Sequence, residues 1–196
     1  MTERKKDAAG AYKLTRLGRK TACEGSALDF MRDTMRLPDG REEIWDFVHH
    51  KKGGGAAVVP LLPGGRILMI RQYRPAIDRE TLEIPAGACD REDKNREMTA
   101  SRELLEETGY RAGRIRHLVT IDTAVAYCDE STEIYLATDL KREREQALDE
   151  AEEIRVTAVE ISAIFDLMSR GVIRDAKTVA GICAAAVYAR DEFSLQ

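Results

Sequence analysis

Arg102-Glu103-Leu104-Leu105-Glu106-Glu107-Thr108-Gly109-Tyr110 sets three glutamates ahead of a glycine. Residues three and four apart on an α-helix are neighbours, so Glu103, Glu106 and Glu107 would share one face. Like charges at these spacings repel by about 0.2–0.5 kcal/mol per exposed pair. A divalent cation such as Mg²⁺, which prefers carboxylate oxygens and commonly binds substrate phosphates, would turn that repulsion into coordination. The segment predicts a metal-binding helix; the alternative is an acidic face exposed to solvent.

The residues ahead of this helix have the pattern of a strand followed by a loop. The stretch Leu82-Glu83-Ile84 runs into the turn residues Pro85-Ala86-Gly87, and a polar run over 90–95 follows. We expect Asp93 or Asn95 to be the N-cap, since these side chains accept hydrogen bonds from the first helical turn. Gly109 suits a left-handed C-cap. Strand, loop, acidic helix and glycine therefore form one structural unit.

This unit resembles the signature of the Nudix family, G-x5-E-x7-R-E-U-x-E-E-x-G-U, where U is a bulky apolar residue. The second half of the signature is matched from Arg102 to Tyr110, with tyrosine as the last bulky residue. The resemblance implies an α/β/α sandwich with a mixed β-sheet, an α/β (α+β) fold.

The first half of the signature is displaced. Counting back from the helix puts the signature glycine on Ala88 and the signature acid on Lys94. One extra residue in the loop would restore Gly87 as the signature glycine and leave Asp93 or Glu92 as the substitute acid. Because that acid lies outside the metal-binding face, its loss does not predict an inactive protein.

The flanking sequence resembles the ADP-ribose pyrophosphatase branch, over roughly residues 43 to 190. The matching segments are Arg71-Gln72-Tyr73-Arg74-Pro75, 82–87, Tyr135-Leu136-Ala137-Thr138 and Ile173-Arg174-Asp175-Ala176-Lys177-Thr178. One loop departs from the branch, which usually carries Ser-Pro-Gly where this chain has Ala124-Val125-Ala126-Tyr127-Cys128-Asp129-Glu130. That loop is expected to contact the nucleoside, so the identity of the substrate is the open point.

The resemblance implies Mg²⁺-dependent hydrolysis of the pyrophosphate bond in a nucleoside diphosphate linked to a sugar. ADP-ribose, giving AMP and ribose 5-phosphate, is the first expectation, and GDP-mannose or another nucleotide sugar is the alternative. A non-catalytic module that senses a nucleotide is the alternative of another class. The implied metal ligands are Glu103, Glu106, Glu107 and the backbone carbonyl of Ala86, with Mn²⁺ as a possible substitute for Mg²⁺.

A proton acceptor and a phosphate contact complete the implied site. The acidic run 149–153 resembles the loop that carries the catalytic base in this branch, and Glu150 and then Glu152 are the candidates. Arg74, or Arg71 in its place, would bind the diphosphate, because a planar guanidinium suits phosphate oxygens. The alternative for Arg74 is a surface salt bridge with Asp78 or Glu80.

Four further charged residues have predicted roles, of which two concern the site and two the start of a helix. Arg102 is expected to orient the carboxylates by pairing with Glu106 or Glu83, without touching substrate. Glu130 would contact the nucleoside or the terminal ribose. Lys177 is expected to be a surface residue at a helix N-terminus, with Asp175 as the N-cap.

Aromatic and histidine residues lie along one predicted strand of the N-terminal region. Trp45 and Phe47 alternate along a predicted strand and so point to one face, which suits a dimer contact, stacking on a base, or ordinary core. His49 and His50 would face opposite sides of that strand and cannot chelate one ion together. Neither they nor His117 is assigned a catalytic role.

The chain divides into two predicted regions. Residues 1–52 contain three candidate strands (13–22, 28–37 and 43–50) and are expected to form a small antiparallel sheet that mediates a homodimer, since three strands are marginal alone. Residues 53–196 form the hydrolase domain, entered through the flexible hinge Gly53-Gly54-Gly55. Its predicted strands cover 56–62, 66–71, 82–84, 115–121, 133–137 and 156–160, and its later helices cover 162–169 and 176–190.

The composition favours a cytoplasmic enzyme. The 196 residues are 43% hydrophobic, and no apolar run approaches the roughly 20 residues that span a bilayer. The charged N-terminus lacks the apolar core of a secretory signal. Four separated cysteines show no C-x-x-C pair and are expected to be reduced thiols. A net charge of -4 indicates no nucleic-acid partner, and we expect no membrane partner.

Overall fold

A computed structural model describes residues 14–148 and 153–193, so the predicted bases Glu150 and Glu152 lie outside the described residues. The chain divides into two units. The first unit is Met1–Gly53 together with Ala124–Glu130, and the second is Gly54–Thr123 together with Ser131–Gln196. The 124–130 loop thus belongs with the N-terminal residues, an association between distant segments that sequence patterns did not indicate.

The first unit is built on a three-stranded antiparallel sheet of β1 (Thr15–Glu24), β2 (Leu28–Arg36) and β3 (Glu42–His50), in that order. Gly40 has φ 91° in the turn between β2 and β3, a conformation that glycine adopts at little cost. Asp33 of β2 is fully buried, and its carboxylate accepts hydrogen bonds from Nε and Nη2 of Arg19 at 2.8 and 2.9 Å. The predicted small sheet is present, and this ion pair holds β1 against β2.

In its described residues, the second unit contains nine strands and three α-helices. Its strands are β4 (Gly54–Leu62), β5 (Arg66–Arg74), β6 (Arg79–Glu83), β7 (Ala86–Ala88), β8 (Tyr110–Arg111), β9 (Arg114–Asp122), β10 (Ser131–Thr138), β11 (Lys141–Arg142) and β12 (Ile154–Glu160). Its helices are α1 (Arg96–Thr108), α2 (Ile161–Ser169) and α3 (Ala176–Tyr188), with a 3₁₀ turn at Pro75–Ile77. Every strand predicted for this unit overlaps an observed strand, whereas the short strands β7, β8 and β11 were missed.

The main sheet is mixed, in the order β12-β5-β4-β10-β9, with β6 added to β5 and β7 added to β4. Strands β4 and β10 are parallel, and the remaining pairs are antiparallel. The pairing of β4 with β7 sets Ala57 opposite Ala86. This register brings the predicted metal-site residues beside the centre of the sheet.

Alternation along the central strands produces a core on each face of the sheet. In β4, Ala57 and Val59 pack with residues of α2 and α3, whereas Ala56 and Val58 pack with Ala100 and Leu104 of α1. Successive side chains of a strand point to opposite faces, so a strand buried on both sides is apolar throughout. Helices cover both faces, which confirms the predicted α/β/α sandwich. Within the described residues, none of the helices is long and apolar enough to cross a membrane.

The glycines at the start of β4 serve close packing, within the segment predicted as a hinge. Gly54 and Gly55 are both buried. Gly54 has φ 118°, and a Cβ there would overlap the carbonyl oxygen of Ser131 on β10. A Cβ on Gly55 would overlap the carbonyl oxygen of Gly87 on β7. Both glycines allow the backbones of β10 and β7 to approach the first residues of β4.

Candidate active site

Helix α1 is bounded by two capping residues, Asn95 and Gly109. Asn95, extended at φ -158°, accepts a hydrogen bond from the backbone amide of Met98 at 2.9 Å, so Asn95 and not Asp93 is the N-cap. At the other end Gly109 has φ 76°, and its amide donates to the carbonyl of Leu105 at 2.9 Å. Leu104 is fully buried against the sheet. The helix is therefore fixed in rotation, and its glutamate face turns toward β7.

Two of the three glutamates lie against consecutive residues of β7. Glu107, only 3% exposed, accepts a hydrogen bond through Oε2 from the backbone amide of Ala86 at 3.0 Å. The carboxylate of Glu103 lies against Gly87 so closely that a Cβ on Gly87 would overlap it. Gly87 thus has the place of the signature glycine, and its missing side chain makes room for the carboxylate of Glu103, a predicted metal ligand.

Arg102 links the acidic face to the loop ahead of the helix. Its Nη1 lies 2.8 Å from Oε2 of Glu106 and 2.9 Å from Oε1 of Glu103. Its Nη2 donates to the carbonyl of Ala88 at 3.0 Å and to Asp93 at 3.1 Å. Burial opposes the charged form of Arg102, but the hydrogen bonds and charges of Asp93, Glu103 and Glu106 outweigh it and raise its pKa. The predicted pairing with Glu106 is confirmed.

Asp93 occupies the place of the signature acid. Its side chain is only 6% exposed, and besides Arg102 it accepts hydrogen bonds from the hydroxyl of Thr99 at 2.9 Å and the amide of Asp90 at 3.0 Å. Burial alone would raise the pKa of Asp93, but the hydrogen bond from Arg102 and those from the loop lower it. Glu92 is exposed. The spacing from Gly87 to Asp93 keeps the family count, so the extra residue lies between Asp93 and Arg102.

These carboxylates are the donor type that Mg²⁺ selects, and Glu103, Glu106 and Glu107 are the residues that would hold it. Over residues 14–148 and 153–193, no three acidic, histidine or cysteine side chains converge as ligands of one ion. Glu103 and Glu106 are both turned to Nη1 of Arg102, and Glu107 to the amide of Ala86. Binding a cation therefore requires these carboxylates to exchange their present partners for the ion.

Arg74 stands at the end of β5 and pairs with a buried acid. Its Nε and Nη2 donate to Oε1 and Oε2 of Glu83 at 2.8 and 2.6 Å. The expected alternative, a pair with Asp78 or Glu80, is wrong, because Asp78 accepts from the hydroxyl of Tyr73 and Glu80 lies beside Arg71 at 3.4 Å. The expected Glu83 pairing of Arg102 is wrong for the same reason, since Glu83 faces Arg74.

The surroundings of Arg74 favour its charged form. The hydrogen bond to Glu83 raises the pKa of Arg74 against the opposing effect of burial, and the charges of Glu83, Asp175 and Glu107 add to the increase. Glu107 on α1 thus acts on Arg74 through its charge. Arg74, predicted to bind the diphosphate, and Glu107, predicted to bind the metal, therefore interact through their charges.

Lys177 was expected on the surface, and the structure corrects this. Its side chain is 15% exposed, its Nζ contacts Oε2 of Glu83, and it lies 3.0 Å from Asp175. Asp175 is the N-cap of α3, as predicted, and accepts from the amide of Thr178 at 3.0 Å. The available signal was Glu83 itself, since a glutamate inside an apolar strand needs cationic partners.

Gln146 is a second residue that sequence patterns missed. Its Nε2 donates to the carbonyl of Glu107 at 2.5 Å and to the carbonyl of Ile154 at 3.3 Å. The amide of Ala147 donates to the carbonyl of Glu106 at 2.9 Å. The residues on either side of 149–152 are therefore tied to the C-terminal end of α1, where carbonyls lack helical partners.

The remaining predicted contacts lie in the first unit, apart from Arg71, which is partly exposed on β5. Trp45 and Phe47 are half-buried, with ring centroids 6.3 Å apart, and so share a face as predicted. Glu130 lies 3.9 Å from Nε2 of His50. His49 contacts Asp129 at 2.6 Å through Nδ1.

Comparison with known proteins agrees with this geometry. A model of the NUDIX domain matches residues 51–180. The chain is 33% identical to the ADP-ribose pyrophosphatase of Bacillus subtilis (strain 168) over 159 residues, covering 81% of this chain and 84% of that protein. It is 32% identical to the GDP-mannose pyrophosphatase of Cronobacter sakazakii over 160 residues, covering 77% of this chain and 80% of that protein.

A solved structure shares the fold. It is described as the crystal structure of an ADP compounds hydrolase and superposes with a TM-score of 0.81, covering 93% of this chain and 97% of that one at 19% identity. At that identity the likeness concerns the fold alone. The domain match, the relatives above 30% identity and the glutamate face of α1 against β7 lead to one conclusion: the chain belongs to the Nudix family.

Proposed function

We propose that this Nudix protein is a Mg²⁺-dependent pyrophosphatase, a hydrolase acting on the acid anhydride bond of a nucleoside diphosphate linked to a sugar. The observation that carries the proposal is the convergence of Glu103 and Glu107 on β7, with Arg74 bound to Glu83 three residues before Ala86. One end of this group suits a hard cation and the other suits phosphate oxygens. A pyrophosphatase needs both.

The residues divide the work of hydrolysis. Mg²⁺, when bound, neutralises phosphate charge and makes a bound water more acidic. Glu103, Glu106, Glu107 and the Ala86 carbonyl would hold the ion, and Arg102 would orient the carboxylates through its contacts to Glu106 and Asp93.

In the reaction, the oxygen of water bonds to a phosphorus of the substrate as the bond from that phosphorus to the bridging oxygen breaks. The proton of the water passes to the base, which we propose is Glu150 or Glu152, and the bridging oxygen leaves with the other phosphate. Arg74 would neutralise the diphosphate during this exchange. The products from ADP-ribose are AMP and ribose 5-phosphate.

ADP-ribose is the proposed substrate, supported by the Bacillus subtilis relative and by the matching segments on both sides of the signature. GDP-mannose is the second candidate, supported by the Cronobacter sakazakii relative at similar identity. Glu130 and Trp45 are proposed as contacts to the nucleoside side or the terminal ribose. The 124–130 loop, which departs from Ser-Pro-Gly, is where the two candidates would be distinguished.

We also propose a homodimer formed through the β1–β3 sheet, in the cytoplasm. Several large apolar side chains of the first unit are exposed, as expected for a sheet that packs on a partner; they include Leu17, Phe30 and Ile44. All four cysteines are free thiols, which suits a reducing compartment. A sizing measurement that returns 22.0 kDa, the mass of one chain, would contradict the dimer.

A substrate panel tests the activity. The protein is incubated with ADP-ribose, GDP-mannose, a dinucleoside polyphosphate and NADH, with Mg²⁺, with Mn²⁺ and with EDTA. We expect metal-dependent release of a nucleoside monophosphate, fastest from ADP-ribose. Turnover of none of the four would refute the enzyme proposal and leave the nucleotide-sensing module, and faster release of GMP would favour GDP-mannose.

A further inference from the structure

Glu83 is a buried carboxylate whose oxygens are both fully engaged. Oε1 accepts from Nε of Arg74 at 2.8 Å and from the hydroxyl of Thr81 at 2.6 Å. Oε2 accepts from Nη2 of Arg74 at 2.6 Å and from Nζ of Lys177. With 2% of its side chain exposed, the residue has four donors and almost no water. Such a carboxylate stays ionised and is unsuited to accept a proton from a reacting water.

The way Glu83 holds Arg74 leaves one edge of the guanidinium open. The contacts use Nε and Nη2, the side edge of the group. The end edge, formed by Nη1 and the second hydrogen of Nη2, is a separate pair of donors in the same plane. None of the described residues accepts a hydrogen bond from Nη1, and the side chain is 39% exposed. The plane of the Arg74 guanidinium is therefore fixed, and the donors of its end edge are available to a ligand.

Lys177 fixes Glu83 from the other side. It comes from the first turn of α3, 94 residues further along the chain, and it also lies 3.0 Å from Asp175, the N-cap of that helix. Thr178 of the same turn donates through its hydroxyl to Asp175 at 2.6 Å and accepts from the amide of Ile84 at 3.0 Å. Strand β6 and helix α3 are thereby joined around the carboxylate of Glu83.

From this arrangement we infer that Glu83 and Lys177 are positioning residues for Arg74: Glu83 sets the plane of the guanidinium so that its end edge meets the diphosphate, and Lys177 anchors Glu83 while offsetting its charge. The inference rests on the proposed function, because it takes Arg74 to bind the diphosphate. Glu83 and Lys177 touch Arg74 and each other and act through it.

Substitutions of Glu83 and Lys177 are then expected to change different kinetic constants. Glu83→Gln removes the carboxylate that aligns Arg74 and adds one net positive charge, so kcat falls about 100-fold, as for a misplaced reacting group, while KM does not rise. Lys177→Met keeps the two contacts between Glu83 and Arg74 but removes the anchor on Glu83 and lets the full charge of Glu83 act on Arg74. KM then rises about tenfold, with kcat little changed. Lys177→Arg keeps the cation and restores KM to within about threefold of the unchanged protein.

The experiment measures kcat and KM of the full-length chain and these three variants for the best substrate of the panel, with melting temperatures recorded for each. Calorimetric titration with a methylene-bridged analogue of ADP-ribose, in Mg²⁺, measures binding without turnover. Arg170→Met is the control, because it removes a cation from an exposed pair on α2, 3.2 Å from Asp166. The control should change neither the kinetic constants nor the affinity for the analogue.

The outcomes distinguish a failure of the positioning role of Glu83 and Lys177 from a failure of the proposed pyrophosphatase activity. If the unchanged protein turns over no substrate, the proposed function fails, and the titration alone decides the inference: analogue affinity about tenfold weaker in Lys177→Met, but not in Glu83→Gln, would support it. Lower melting temperatures with kinetic constants and affinities equal to the control would overturn it, as would equal changes in KM from both substitutions. Should Glu83→Gln fail to fold, the two Lys177 variants still decide, because a methionine as good as arginine at 177 contradicts the anchoring role.

Discussion

Gly87 and Glu103 occupy adjoining space: the carboxylate of Glu103 on α1 lies where a side chain on Gly87 of β7 would have to be. Glu103 has a flexible end and can move aside, so a methyl group at residue 87 displaces the carboxylate more than it strains the backbone. The closeness of this glycine to a proposed metal ligand links the two halves of the family signature.

Gly87→Ala should therefore lower activity more than stability. We expect at least a tenfold drop in kcat at fixed Mg²⁺, partly restored at higher Mg²⁺, and a loss of about 1–3 kcal/mol in the free energy of unfolding. Kinetics against Mg²⁺ concentration and thermal melting measure the two effects. Gly18→Ala is the matched control, because nothing lies within 4 Å of the Cβ it would add. Equal activity of both alanine variants would show that Glu103 needs no space at Gly87.

Glu107→Gln should abolish most turnover with the fold intact. The glutamine can still accept the hydrogen bond from the amide of Ala86, now 3.0 Å from Oε2, but it loses the charge that holds a cation. We expect a loss of about 100-fold or more in kcat and a circular dichroism spectrum like that of the unchanged protein. Glu97→Gln, an acid in the first turn of the same helix, is the control and should keep full activity. An unchanged rate for Glu107→Gln would show that this helix is not the metal site.

Arg102→Lys tests whether the planar group of arginine matters beyond its charge. Arg102 contacts Glu106 through Nη1, and Asp93 and the carbonyl of Ala88 through Nη2, an arrangement that one ammonium cannot reproduce. We expect kcat to fall about 10- to 100-fold and the Mg²⁺ requirement to rise, since residues that orient metal ligands have effects of that size. Arg170→Lys, just past the C-terminal end of α2 and in an exposed pair, provides the comparison. If lysine supports full activity at residue 102, the carboxylates do not depend on its geometry.

Glu83 should make the stability of the protein depend on pH in the acid range. Burial opposes ionisation of Glu83, but the hydrogen bond from Arg74 and the charge of Lys177 outweigh it and lower the pKa from 4.5 to about 2. The unfolded state therefore binds the proton first, and the contribution to stability is complete above about pH 4.5 and is lost as pH falls toward 2. The shift corresponds to about 3 kcal/mol.

Chemical denaturation between pH 6 and 2.5 measures this dependence in the unchanged protein and in Glu83→Gln. The unchanged protein should lose more stability than the variant over the range, by a difference approaching 3 kcal/mol. Other carboxylates contribute equally to both proteins, so the difference isolates Glu83. Parallel curves for the two proteins would mean that Glu83 is not held ionised by Arg74 and Lys177.

Local sequence determined the longer helices and strands of this protein and the acidic character of one face of α1. The spacing of Glu103, Glu106 and Glu107 follows from the helical repeat, and Asn95 and Gly109 bound the helix by capping rules that need no tertiary contact. The apolar run after the glycines indicated a strand over 56–62, and β4 covers that range. These features depend on residues a few positions apart, which is the range over which periodicity carries information.

Only the tertiary structure decided which partner each charged side chain meets. Arg74 and Lys177 share the carboxylate of Glu83 because β5 pairs with β6 in one register and α3 packs its first turn beside them. Likewise Asp93, and not Glu92, meets Arg102 once the loop folds back on α1. Such contacts join residues 9 to 94 positions apart, and burial selects them, since an ionised group removed from water must find its counter-charge wherever the fold places one. The sequence determined which groups were available, and packing determined how they were paired.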